Sequence, residues 1–565
     1  MDGRVQLHRV LLCALGVCLL FGAICAGQAP GDAAAAPVRT SVATTKIAGT
    51  VVSSVTGAPL AQTRVSISEV RKRANTRWMV SNENGSFEFD QIPPGKYSLE
   101  GARRGFLTGT YEQHEQFSTA IVTGTEFDTT KLVLRLTPMA SIEGKVTDEA
   151  GEPVRDGQVR LYRENKEMGF GRIAPINGGV TNDLGTFEFA PLPPGKYYVA
   201  VTARPWYAVR PAMDSGDGTS GPAQGVDRSL DVAYPTTYSG GATEADGAAP
   251  IELKGGDHTE VEIHISPVPS LHIIFRVADD EAQRGISRPM LAKRVFDGAE
   301  ENLPSEMSCM KGACEITGVP AGTYIVRMRH PGSERGSMAT SATSEIDLRN
   351  DGQELDTTRA EPEGSVKLAI QMPQPELIAK NMRIMLRDQQ NRNRAFQEVD
   401  ASGQATIENL PAGKYSIMIY SPGKPYSVVR TSSEAGVTAG HDVNVTAGGT
   451  LAVTAVLAAG SANIEGFVKR GGKAASGVMV VLIPKESSTR EELFRRDQSD
   501  SDGSFRLGSV IPGEYTLVAI EDAWGFDWSK PGQLAHYAQH GQSITIPEGV
   551  ETTIQLREAI EVQPR

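Results

Sequence analysis

The sequence predicts an all-β protein, a tandem array of about five seven-stranded β-sandwiches. Three observations predict it. One turn–strand–turn–strand unit recurs five times, the apolar residues around it alternate with period two, and no segment carries a convincing amphipathic helix. The recurring turn reads Pro94-Gly95-Lys96-Tyr97, Pro194-Gly195-Lys196-Tyr197, Pro320-Ala321-Gly322-Thr323-Tyr324, Pro411-Ala412-Gly413-Lys414-Tyr415 and Pro512-Gly513-Glu514-Tyr515. Ten residues before each turn glycine stands another: Gly85, Gly185, Gly312, Gly403 and Gly503.

Each element of the unit follows from local chemistry. Asn84-Gly85 and Asp502-Gly503 are hairpin signals, because glycine accepts the positive φ such turns need. Alternating pairs then mark a half-buried strand: Phe87/Phe89, Phe187/Phe189, Cys314/Ile316, Ala405/Ile407 and Phe505/Leu507. Proline and glycine preset the next reversal. The following strand alternates again, as in Tyr197/Val199/Val201 and Tyr515/Leu517/Ala519. The five tyrosines that open this strand read as core or corner residues. Each unit opens on a strand, seen best as Ile47-x-Gly49-x-Val51, Ile142-x-Gly144-x-Val146 and Ile464-x-Gly466-x-Val468. Units three and four carry looser versions at Leu271 to Val277 and Val366 to Ile370. Further strands are expected at Val65/Ile67, Val159/Leu161 and Val478/Val480/Leu482, and closing strands at 131–136, 260–265 and 552–556. Short strands punctuated by turns at this density make a sandwich.

The modules fall near 46–139, 140–268, 269–364, 365–459 and 460–560, the third and fourth divergent. Residues 27–45 read as a flexible linker. A Gly-, Ser-, Asp- and Ala-rich insertion near 210–250 in module two reads as a long surface loop.

Arg4 and Arg9 precede an apolar run from Val10 to Ile24 and small residues. The run is short for a membrane span, so 1–26 reads as a signal peptide cut after Ala26, and the protein as secreted, periplasmic or at the cell surface. A lipoprotein anchored at Cys25 ranks second, since Ile24 stands where a small residue is usual. No later segment approaches a membrane span. The net charge of −12 offers no basic surface for nucleic acid. Outside the signal only Cys309 and Cys314 remain, flanking four residues on a hairpin. In an exported chain they are expected to close a disulfide, with a two-thiolate metal site as the alternative.

The segments Ile142-Glu-Gly-Lys-Val146, Gly151-Glu-Pro-Val154, Val159-Arg-Leu161, Asn182-Asp-Leu-Gly-Thr-Phe187 and Leu192-Pro-Pro-Gly-Lys-Tyr197 resemble a carboxypeptidase regulatory-like domain. Modules one and five resemble it nearly as well; modules three and four share mainly the turn core. The resemblance implies a transthyretin-like, Ig-like sandwich related to starch-binding-like sandwiches. It also implies an exported, non-catalytic role in bacterial envelope proteins, with no catalytic residue to carry over.

Tests for chemistry agree with that. No histidine opens a His-x-x-Glu zinc pair, and there is no nucleophile elbow or phosphate loop. His536 and His540, four apart, lack a glutamate partner and read as a structural or solvent-exposed pair, ahead of a metal site. The run Asp497-Gln-Ser-Asp500-Ser-Asp502-Gly503 reads as turn chemistry, with a calcium loop as the alternative. No metal and no cofactor are expected.

The aromatics are the functional lead. Phe106, Trp206 and Trp524 each lie nine residues past the turn tyrosine. Module two adds Tyr207, Tyr234 and Tyr238; module five adds Phe526, Trp528 and Tyr537. Displayed aromatics stack on sugar rings, whereas buried ones plug the sandwich end. The candidate ligand residues are therefore Trp206, Tyr207, Tyr234, Tyr238, Trp524 and Trp528. A glycan or an envelope protein is the expected partner. The alternatives are a spacer or protein-interaction array, or an accessory subunit of a peptidase or transport system.

Overall fold

A computed structural model describes residues 45–565 apart from 71, 125, 166–171, 210–226, 277–288, 297–298, 304, 311–312, 332–337, 356–360, 373–380, 390–392, 434–435, 486–489, 527–531 and 549–551. The signal and nearly all of the linker lie outside the described residues. The rest is built mainly of strands, with one short α-helix, Ala535–Ala538, and four single turns of 3-10 helix among the described residues.

Module one sets the pattern. Thr45–Ser53 pairs antiparallel with Ser86–Ile92 and parallel with Leu132–Leu136. Facing them, Arg64–Glu69 lies between Lys72–Val80 and Lys96–Ala102. Period-two residues of both sheets point inward, so Ile47, Val51, Val65, Phe87, Leu99 and Leu134 fill one core. Modules two to five repeat the arrangement around their own cores. These centre on Ile142, Leu161 and Val199, on Ile273, Phe275 and Val326, on Val366, Ile384 and Ile417, and on Ile464, Leu482 and Leu517. In module five the final strand, Ile560–Gln563, pairs parallel with both Ala462–Arg470 and Gly513–Ile520, joining the two sheets.

Two repeated residues explain the motifs. The glycine of Ile-x-Gly-x-Val has no room for a side chain. A Cβ on Gly144 would drive into the Phe187 ring and come to 2.8 Å from the Val261 carbonyl, and on Gly49 it would strike the Leu132 carbonyl. The turn tyrosine donates its hydroxyl to the carbonyl four residues upstream in every module. Tyr97 reaches Pro93 at 3.1 Å, Tyr197 Pro193 at 2.6 Å, Tyr324 Pro320 at 2.7 Å, Tyr415 Pro411 at 2.6 Å and Tyr515 Ile511 at 2.8 Å. A phenol body in the core with its hydroxyl satisfied at the rim locks the reversal to the sheet.

Of the insertion expected to be a loop over 210–250, residues 210–226 lie outside the described residues, and the remainder carries the short strands Val232–Ala233 and Thr237–Tyr238. Thr236, Thr237, Tyr238 and Ser239 are buried, and Thr237–Tyr238 pairs with Gly195–Thr202. Its apolar tyrosines have a surface to cover, because Tyr238 packs edge-on against Phe296 of module three.

The sandwiches are not beads that touch only their chain neighbours. Modules one and two meet where the Gly256 N–H donates to the Pro138 carbonyl at 3.2 Å. Two and three meet around Tyr162, Tyr238 and Val295. Three and four meet where the Gly448 N–H donates to the Pro362 carbonyl at 2.8 Å. Four and five meet where Arg490 donates to the Val428 carbonyl at 2.8 Å. Module five then returns to module one, closing the circuit.

Candidate functional site

Two regions concentrate polar and aromatic side chains. The first is the junction of modules one and five. The hairpin turn of module five is homologous to those at Asn82, Asn182 and Asp400, whose side chains accept the backbone N–H groups of their own turns. In module five the equivalent Asp500 turns outward. It accepts Lys96 Nζ at 2.6 Å and the Ala120 N–H at 2.9 Å, both in module one. Asp502 accepts the turn's Ser504 N–H in its place. Ser501 donates its N–H to the Ala120 carbonyl at 3.0 Å and accepts the Val122 N–H at 2.8 Å. Gln498 donates to the Glu112 carbonyl and to Thr119, and Arg496 pairs with Glu115 at 2.8 Å. Burial raises the Asp500 carboxyl, with Lys96 and the Ala120 N–H opposing, and pushes Asp497 up to about 6. The acidic run is thus a docking turn. Among the described residues no cluster of three or more His, Cys, Asp or Glu is placed to hold a metal.

Trp524 belongs to this junction. Its ring stacks on His114 of module one, centroids 4.9 Å apart and 6° from parallel, and lies 5.7 Å from Phe117. Its indole N–H donates to the Gly477 carbonyl at 3.3 Å. The face expected to meet a ligand meets another sandwich, because module one supplies the aromatic partner. Trp528 lies outside the described residues.

The second region is on module two. Trp206 stands 88% exposed on the loop after Gly195–Thr202. Tyr207 packs edge-on against it, centroids 5.7 Å apart. Both Tyr207 and Tyr234 donate their hydroxyls to Glu149, the latter at 2.8 Å to the second carboxylate oxygen. Desolvation and the carboxylate together push the Tyr207 phenol up to about 12. Burial works against ionisation of Glu149, and the two tyrosine hydroxyls with a backbone N–H outweigh it, so its carboxyl titrates below the usual range. Tyr234 is buried and reaches the site through its hydroxyl. Tyr238 is fully buried in the junction with module three and presents no face to a ligand. Cys314 is disulfide-bonded, and the ladder sets Cys309 directly opposite it.

Sequence reasoning missed Glu149, Lys96, His114 and Gln498. Glu149 alone left a trace: it stands in the turn after the Ile-x-Gly-x-Val strand, where module one has Ser53-Ser54-Val55 and module five Arg470-Gly471-Gly472. His272 was missed too. It sits at the junction of modules two and three, donating from Nε2 to Asp231 at 2.6 Å and from Nδ1 to Glu315 at 2.8 Å.

Residues 46–136 and 141–219 match the model of the carboxypeptidase regulatory-like domain, so modules one and two are similar to that domain. Residues 462–536 match the second beta sandwich domain of BOS complex subunit NOMO1-like proteins. No curated protein matches the chain. Among solved structures, a Streptococcal ancillary pilin is 14% identical over 52% of this chain and 100% of its own, with a TM-score of 0.21. The Bacillus anthracis TIE protein is 13% identical over 70% of this chain and 69% of its own, TM-score 0.15. Two B repeat units of the collagen binding protein of Staphylococcus aureus are 12% identical over 73% of this chain and 100% of their own, TM-score 0.12. No helix among the described residues is long and apolar enough to cross a membrane.

Proposed function

We propose that this protein is an exported, non-catalytic scaffold at the bacterial envelope that binds carbohydrate through module two. The observation that carries the reading is the 88% exposure of Trp206, a flat apolar face beside the anchored carboxylate of Glu149. The homologous Trp524 is spent on holding modules one and five together, so module five serves the scaffold and module two the ligand. In the same reading the modules divide near 46–139, 140–268, 269–364, 365–459 and 460–560, and Cys314 is bridged to Cys309. The test is a glycan array with the mature chain and its Trp206→Ala variant. Binding by the parent that Trp206→Ala abolishes supports the reading; a parent that binds no glycan refutes the carbohydrate part.

A further inference from the structure

We infer that the module-two platform selects an amine-bearing sugar ring, a deacetylated amino sugar, over its neutral N-acetylated counterpart. This rests on the carbohydrate reading above. The argument is one of donors, acceptors and charge. Tyr207 and Tyr234 both spend their hydroxyl protons on Glu149. What the site then offers a ligand are acceptors: phenol lone pairs and the remaining lone pairs of an ionised carboxylate. A neutral sugar hydroxyl satisfies such a site with one proton. An ammonium brings three N–H donors and the opposing charge, and its ring can lie on an indole face that itself attracts cations.

The surroundings sharpen the preference. Asp148 and Glu152 share the turn with Glu149, and Asp148 is occupied with the Ala150 and Glu152 N–H groups. Arg204, two residues before Trp206, is paired with Glu306 at 2.9 Å. Arg155 is paired with Asp183 at 3.1 Å. His264 accompanies Glu149 electrostatically and contacts Thr147 at 3.3 Å. The anchored tyrosines hold the carboxylate in one place, so a cation meets a site already ordered.

The test titrates the full mature chain with fully deacetylated and fully N-acetylated chito-oligosaccharides of equal length. The deacetylated oligomer is expected to bind at least tenfold more tightly, with an advantage that shrinks as salt rises. Glu149→Gln, an exposed and nearly isosteric change, is expected to erase that advantage, and Trp206→Ala to weaken both ligands. Equal or tighter binding of the N-acetylated oligomer overturns this inference and leaves the carbohydrate reading standing. Binding of neither oligomer, with a positive response elsewhere on the glycan array, also overturns it; silence on the whole array removes the reading beneath it.

Discussion

Asp500→Ala is expected to weaken the contact of module five with module one while each sandwich stays folded. The carboxylate, 16% exposed, accepts two donors from module one, Lys96 Nζ and the Ala120 N–H. Hydrogen bonds involving a charged group contribute about 1.5–3 kcal/mol each. Lys96 is 38% exposed, so water screens its share and places it at the lower end. The N–H of buried Ala120 loses its acceptor outright. The sum is about 2–4 kcal/mol, a fall of roughly 30- to 1000-fold in the ratio of closed to open molecules. Amide exchange at Ala120 and Val122 reads the contact locally, and small-angle scattering reads the shape. Asp400→Ala is the control, since Asp400 accepts only the N–H groups of Ser402 and Gln404 and the Ser402 hydroxyl, all in its own turn. It is expected to leave the scattering profile unchanged. Wild-type protection at both amides and an unchanged profile in Asp500→Ala would refute the reasoning.

Other expectations follow from single contacts. Gly144→Ala forces a Cβ against the Phe187 ring and the Val261 carbonyl, and overpacking of this kind costs about 1–3 kcal/mol; urea unfolding of module two measures it. Tyr197→Phe removes the hydroxyl bond to Pro193 and is expected to lower stability by about 1 kcal/mol in the same experiment. The bond to Glu315, with that to Asp231, holds the His272 imidazolium to about 9 against the opposing effect of burial. Because the folded value lies above the unfolded one, its stabilisation is complete below about pH 6.5 and is lost as pH rises through 9. Thermal melts across pH 6 to 10 are expected to fall more steeply for the parent than for His272→Gln.

The sandwich was legible because its signals are local. A glycine under a neighbouring strand, a phenol bonded four residues back and a period-two strand all act within one module. The closed circuit was not legible, because Asp400 and Asp500 occupy the same place in the repeat. One faces its own turn and the other faces module one; the only local mark is the change from Ala401-Ser402 to Ser501-Asp502, which does not name the partner. The ninth-position aromatics make the same point. Phe106 packs against its own core, Trp206 projects into solvent and Trp524 stacks on another module. For Trp524 the outcome depends on His114, a partner some four hundred residues away in the chain. Glu149 escaped notice because its role needs Tyr207 and Tyr234, 58 and 85 residues distant in the chain.

The return of the fifth sandwich to the first has a mechanical meaning. Opening of the Lys96–Asp500 bridge, the Ser501 contacts and the Trp524–His114 stack would part modules one and five while the ladders inside each sandwich stay paired.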